Sequence, residues 1–498
     1  MHMNKILTDF GIEQTEYFSR VSPIKLKKLG QYFTSKEVAS YMASMLKAIP
    51  NVQFVKILDA GAGAGILASA AAIRCLDLGY KQVHVVLYEV DKSILSLLKK
   101  NMDKVKELYE MKDAKLSFEI RNEDFVLTRP DKNNELFHYS VVNPPYFKYN
   151  SKNSPYGRVT EDLFKGDPNI YASFIAIINE CLTSKGQLVA IIPRSFTNGL
   201  YFKDFRRCII SSMSLSKIHI FKSRKRVFKD MDVLQENIIC KLEKTQQKKY
   251  IQIATSECKA DLHKIRTKAY LAVFIIDQSN EYNIIRIPET SNDKYVLEMA
   301  ENWDGNFTDN GYYISTGPVV EFRARKYITS SDDANSTPLF RMHNVRPFRT
   351  EWTGKHRKDV RFTYLEGYKK YTISNDIYVM LKRFSSKDEK RRLVAGVHDR
   401  TNFKVKEIGC ENHLNYIGLS NGRLSLTEAY GIAALFNSTF MDRYFRCISG
   451  NTQVNATEIR LLKMPQRTVI RKLGQHVVKS GTYNQDVVDN IVESILCL

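Results

Sequence analysis

Ile57-Leu58-Asp59-Ala60-Gly61-Ala62-Gly63-Ala64-Gly65 runs from a short apolar segment into closely spaced glycines, and an alanine-rich segment over 66–75 follows. A buried strand, a tight turn and a helix account for that order. Glycines let the backbone turn sharply and approach a ligand, and a helix N-terminus comes next. Asp59 stands at the strand's end and the glycines fall at 61, 63 and 65, which is not the phosphate-binding G-x-G-x-x-G pattern. Outward from this stretch, 82–89, 116–121, 139–142 and 186–193 read as further strands, and 93–109 and 171–182 as helices between them. Upstream, 38–46 has helical spacing after Thr34-Ser35, with Ser35 placed to cap it. Short apolar runs separated by longer helices predict an α/β fold whose parallel sheet is covered on both faces.

Acids at the strand ends narrow the ligand. Glu89 ends the second strand, where an acidic side chain can hold a ribose diol in a doubly wound sheet. Asp124-Phe125, after the third strand, offers an acceptor and an aromatic face suited to an adenine ring. Each alone could be a capping acid or a core aromatic. The order of all three points to a nucleoside-containing cofactor.

Asn143-Pro144-Pro145-Tyr146, at the end of the fourth strand, is the most specific signal in the chain. An adenine amine is a poor nucleophile because its lone pair is delocalised into the ring. Two fixed acceptors, the Asn143 side chain and the Pro144 backbone carbonyl, can take its two hydrogens and hold the nitrogen closer to tetrahedral. The prolines keep that acceptor pair preorganised. Tyr146 can stack on a base extruded from its helix, as chemistry on a base requires.

After Leu242 the stretch Glu243-Lys244-Thr245-Gln246-Gln247-Lys248-Lys249 is polar and the βα rhythm stops, so a domain boundary is expected between 245 and 246. The second half, 246–498, mixes short β-like pieces such as 250–254 and 282–287 with helical stretches such as 427–437. Between Arg341 and Lys406 stand 18 Lys or Arg against 7 Asp or Glu, interleaved with Phe348, Trp352, Phe362, Tyr364, Tyr368, Tyr371, Tyr378 and Phe384. That mixture offers phosphate contacts and stacking surfaces together.

Bulk composition agrees. The 498 residues exceed what one core usually serves. The formal charge of +21 attracts a polyanion. The eight cysteines stand singly and the ten histidines are scattered, so no metal site is expected and a reduced interior is. Nothing resembles a signal peptide or a membrane span, so a cytoplasmic protein is expected.

Taken together, these motifs resemble the N6-adenine DNA methyltransferases of bacterial type II restriction–modification systems, in the gamma motif order and the BsuBI/PstI-like group. The resemblance runs the length of the chain, from Leu29-Gly30-Gln31-Tyr32-Phe33-Thr34 to Ile314-Ser315-Thr316-Gly317 and Asn451-Thr452-Gln453-Val454-Asn455-Ala456-Thr457-Glu458. It implies a class I, Rossmann-like S-adenosylmethionine-dependent domain over 1–245 and a mixed α+β target-recognition domain over 246–498. Carried over, Tyr32 and Thr34 flank the methionine part or sulfonium of the cofactor. Asp59, Gly61 and Gly63 lie at its amino acid end, Glu89 on the ribose, Asp124 and Phe125 at the adenine, and Phe147 beside it or the base.

A second aromatic clamp on the flipped base is implied, and Phe228 is the choice, with Phe221 nearby. Lys222, Arg224, Lys225, Arg226 and Lys229 suit DNA phosphates. Arg341, Arg346, Arg349, Arg357 and Lys358 are read as DNA contacts, to bases or to phosphates. The implied partner is double-stranded DNA, bound by a monomer, with a cognate endonuclease encoded separately. Cytosine C5 chemistry is disfavoured because no Pro-Cys pair occurs in the chain. Cytosine N4 methylation, protein glutamine methylation and a catalytically inactive nucleic-acid-binding protein stay open.

Overall fold

The computed structural model describes residues 2–19, 21, 34–166, 168–222, 236–278, 281–332, 335–385, 389–450 and 453–497. They form two compact units, Met1–Arg286 and Ile287–Leu498.

The first unit is built on one mixed sheet. Its parallel strands are β1 (Phe54–Asp59), β2 (Gln82–Tyr88), β3 (Lys115–Arg121), β4 (Phe137–Val142) and β5 (Leu182–Pro193). β6 (Ser214–Phe221) and β7 (Asn237–Glu243) follow, with β7 antiparallel to both its neighbours. β8 (Tyr250–Ser256) and β9 (Arg266–Leu271) extend the same sheet, in the order β3-β2-β1-β4-β5-β7-β6-β8-β9. Helices α1 (His2–Ser19), α2 (Lys36–Ser44), α3 (Ile66–Asp77), α4 (Leu95–Glu110), α5 (Ile170–Glu180) and α6 (Lys203–Ser212) accompany it.

Small side chains set the packing of α3. Ala68, Ala70, Ala71 and Ala72 are buried and share one core with Val55, Ile57, Val83, Val85 and Val141 of the sheet. Every residue of α5 except Glu180 is buried, which erases the polar stripe that usually marks a helix in sequence. Ser35 has the extended backbone of an N-cap, but its hydroxyl makes no capping hydrogen bond, contrary to expectation.

The expected boundary at 245 falls inside this sheet. β8 pairs with β6 and β9 with β8, so the first unit continues to Arg286. The segment 282–287 forms only an isolated bridge, Ile276 to Ile285, and not a strand of its own.

The second unit is mixed α and β. One antiparallel sheet runs Tyr312–Thr316, Leu414–Leu419, Tyr378–Lys382 and Ala395–His398, and a second has five short strands. Its helices α7 (Leu426–Asn437) and α8 (Arg467–Ser480) touch backbone to backbone. A Cβ on Gly431 would lie 1.9 Å from the Ile470 carbonyl oxygen, and one on Gly474 1.8 Å from that of Thr427, so both positions must be glycine. Among the described residues, no helix is long and apolar enough to cross a membrane.

Candidate active site

The carboxyl ends of β1, β2, β3 and β4 share one edge of the sheet, because these strands are parallel neighbours. Asp59 is the last residue of β1, Glu89 and Asn143 directly follow β2 and β4, and Asp124 lies three residues beyond β3. In open α/β sheets this edge is where ligands bind.

The glycine loop is tied to both acids. Gly61 N–H donates to Asp59 Oδ1 at 3.3 Å, and Gly63 N–H donates to Glu89 Oε2 at 2.7 Å. Glu89 Oε1 accepts from the Asp91 amide at 2.7 Å. Gly63 has φ of +53° and a Cβ there would meet nothing within 4 Å among the described residues, so its backbone borders space those residues leave open. Gly65 has φ of +83°, and a Cβ there would lie 2.6 Å from Leu98 Cδ1. The first glycine keeps room for a ligand, and the second lets α3 close onto α4.

Burial pushes the Asp59 carboxyl up to about 7; the charge of Glu89 adds to the rise, and the Gly61 amide opposes it. Asp59 Oδ2 is buried and has no well-formed hydrogen bond among the described residues. An orphaned carboxylate oxygen beside a glycine loop suits an ammonium group. Burial also raises Glu89, against the amides of Asp91 and Gly63. An oriented carboxylate of this kind is what two vicinal hydroxyls require as acceptor. The pair therefore fits a ligand with an ammonium at one end and a ribose further along.

Asp124 and Phe125 depart from expectation. Asp124 caps the short helix Phe125–Thr128 through the Val126 and Leu127 amides, and its other oxygen accepts from the Tyr156 hydroxyl at 2.7 Å. Phe125 is only 1% exposed, with its ring between Tyr88 and Phe174, so it offers no open aromatic face. Phe147 is half-buried, with its ring 5.9 Å from that of Tyr156.

At the end of β4, Pro144 is buried while Asn143, Pro145 and Tyr146 are half-buried. Asn143 Nδ2 donates to Thr34 Oγ1 at 3.1 Å, and the Tyr146 hydroxyl donates to Asn143 Oδ1 at 2.8 Å. That hydroxyl also lies 2.9 Å from the Ile191 carbonyl oxygen, and the Tyr146 ring meets the edge of Tyr171. Thr34 and Asn143, 109 residues apart, are thus in contact. Tyr32, Arg224, Lys225, Arg226, Phe228 and Lys229 lie outside the described residues; Lys222 pairs with Glu257 at 3.3 Å.

In the second unit the basic residues divide. Arg346 and Arg349 are exposed on a hairpin of Val345–Arg346 and Arg349–Thr350, where Arg349 pairs with Glu351. Lys355, His356, Arg357 and Lys358 are consecutive and exposed. Arg341 is less exposed: its guanidinium binds Glu321 at 2.6 Å and the Lys358 carbonyl at 2.9 Å, so it braces the loop.

One cluster had no signal in the sequence. His343, His356 and Asp359 bring their ligand-type atoms within 4.8 Å of one another. Asp359 already accepts from His343 Nε2 and Asn344 Nδ2 at 2.8 Å and from the Gly354 amide at 3.1 Å, so it serves as the hub of the basic loop.

Comparison with known proteins matches residues 64–228 to the family described as Eco57I restriction-modification methylase. Type II methyltransferase M.BsuBI of Bacillus subtilis is 32% identical over 96% of this chain and 96% of its own length. Type II methyltransferase M.PstI of Providencia stuartii is 31% identical over 95% of this chain and 93% of its own. Among solved structures, a DrdV–DNA complex aligns with a TM-score of 0.50 and 11% identity, over 95% of this chain and 59% of that one.

Proposed function

The chain belongs to the type II restriction–modification methyltransferases, and from that premise we propose that it methylates the N6 amine of an adenine turned out of duplex DNA. S-adenosylmethionine is the cofactor, and when bound it supplies an electrophilic methyl group. In this reading Asp59 takes the ammonium and Glu89 the ribose. Thr34 and, by resemblance, Tyr32 stand near the methionine end. Asp124 and Phe125 shape the wall on the adenine side from behind, given their bonding and burial.

The observation that carries the reading is Asn143 at the lip of the sheet, its carboxamide fixed by two hydroxyls. Asn143 Oδ1 and the Pro144 carbonyl accept the two amine hydrogens, which frees the nitrogen lone pair. Tyr146 contacts the base, and Phe228 is the proposed clamp on its other face. The surplus proton leaves to solvent, since alkylation makes the nitrogen transiently acidic, and no general base is assigned. Positioning and electrostatics supply most of the acceleration.

The unit Ile287–Leu498 is the proposed target-recognition domain, with Arg346, Arg349, Arg357 and Lys358 toward DNA and Lys222 and 224–229 toward the displaced strand. The protein acts as a monomer and protects host DNA from a separately encoded endonuclease. Its relatives over nearly the whole chain are type II methyltransferases, which leaves the protein glutamine alternative without support.

Expression in a bacterial host free of DNA methylation, followed by single-molecule sequencing, tests this. N6-methyladenine at one recurring site is expected; N4-methylcytosine there would overturn the choice of base.

A further inference from the structure

An asparagine carboxamide is nearly symmetric in shape but not in chemistry. Turned over, it presents an N–H where an acceptor is needed, and an N–H facing an amine hydrogen repels it. The acceptor role assigned to Asn143 therefore depends on which way its amide faces. In this protein the amide already stands one way round with no substrate bound, Nδ2 at Thr34 Oγ1 at 3.1 Å and Oδ1 at the Tyr146 hydroxyl at 2.8 Å.

We propose that Thr34 is a positioning residue for methyl transfer: by accepting from Nδ2, its hydroxyl holds Oδ1 of Asn143 toward the incoming amine. The inference rests on the reading of Asn143 as that amine's acceptor. Thr34 is well placed to impose an orientation, being 6% exposed, with its carbonyl accepting from Gln14 Nε2 of α1 at 3.3 Å. The bond also acts electronically. Donation from Nδ2 shifts amide electron density onto Oδ1, which strengthens the acceptor, since linked hydrogen bonds reinforce one another.

Tyr146 completes the arrangement. Among the described residues its hydroxyl has two acceptors in reach for its one hydrogen, Asn143 Oδ1 and the Ile191 carbonyl at 2.9 Å. With no amine bound, the hydrogen satisfies Oδ1. When an amine hydrogen arrives, rotation about the phenol C–O bond can turn it to Ile191, which gives up one bond to Oδ1 with no heavy atom moving.

The test uses the full chain with unmethylated genomic DNA as acceptor. Thr34→Val removes the hydroxyl while keeping the shape, Thr34→Ala is a second hydroxyl-free variant, and Thr34→Ser restores the hydroxyl. Single-turnover methyl transfer and the dissociation constant for S-adenosylmethionine are measured for each. Thr34→Val and Thr34→Ala are expected to slow transfer by about 10- to 100-fold, with cofactor affinity falling by at least about tenfold less than the rate. Thr34→Ser should recover to within about threefold of the parent rate.

The inference is overturned if Thr34→Val transfers at the parent rate, or if its cofactor affinity falls as much as its rate, which would make Thr34 a cofactor ligand only. It is equally overturned if Thr34→Ser is as slow as Thr34→Val. A parent enzyme that methylates adenine alongside unaffected variants removes this inference alone. A parent that modifies no DNA base removes the proposed function with it.

Discussion

The Glu89 carboxylate accepts the Gly63 amide at 2.7 Å, which fixes the acid after the second strand to the glycine loop after the first. Glu89→Gln keeps an acceptor for that amide but loses the charge and turns an N–H toward the Asp91 amide. It is expected to weaken S-adenosylmethionine binding about tenfold and to lower thermal stability less than Glu89→Ala does. Glu89→Ala also frees the loop, so it should bind about 100-fold more weakly than the parent and melt earlier. Calorimetric titration and thermal melts separate the two; equal effects of both variants on melting would mean that the loop does not depend on this bond.

Asp59 trades stability for binding. Its carboxyl is raised to about 7 in the folded protein, above its unfolded value. The stability it contributes is therefore full at low pH and is lost as pH rises through about 7, because folding favours the protonated form. An ammonium ligand needs the ionised form, so cofactor affinity should rise over the same range. Asp59→Asn is expected to match or exceed the parent's melting temperature at pH near 8 while binding S-adenosylmethionine at least about tenfold more weakly. A destabilised Asp59→Asn at that pH would contradict the burial argument.

Gly63 and Gly65 should respond differently to alanine. At Gly65 the new methyl meets Leu98 and a left-handed backbone, so a loss of about 2–4 kcal/mol is expected in urea unfolding. At Gly63 only the backbone cost of about 1 kcal/mol applies, and the larger effect should fall on cofactor affinity, because the methyl enters open space.

Strands β1, β2, β4 and β5 and helices α3 and α4 were legible because parallel strands buried on both faces leave apolar runs, and the edge strand β3 because its apolar residues alternate with polar ones. β8 was legible over 250–254 as a β-like piece but not as part of the first sheet, and β9 was not legible, since a largely exposed edge strand reads like any polar segment after a break. Asp59, Glu89 and Asn143 could be placed at strand ends from sequence spacing. The burial of Phe125, the pairing of Arg341 with Glu321 and the contact between Thr34 and Asn143 depend on chain crossings that no local pattern encodes.

The loop held by Asp359 is expected to touch phosphate. Replacing Lys355, Arg357 and Lys358 together by alanine should weaken DNA binding and flatten the dependence of log affinity on log salt by up to about 3, near one per lost phosphate contact. S-adenosylmethionine binding should not change. An unaltered salt slope would take the loop off the DNA.

Because β8 and β9 complete the sheet of the first unit, exchanging recognition halves between relatives calls for a fusion joint at Arg286/Ile287 and not at 245. A chimera spliced at the earlier point would replace two native strands with foreign ones, so β6 would have to pair along that side with a strand its side chains are not matched to. Hybrids joined at the later point keep that edge paired, so they are the ones expected to express without aggregation and to reveal whether site choice travels with the second half.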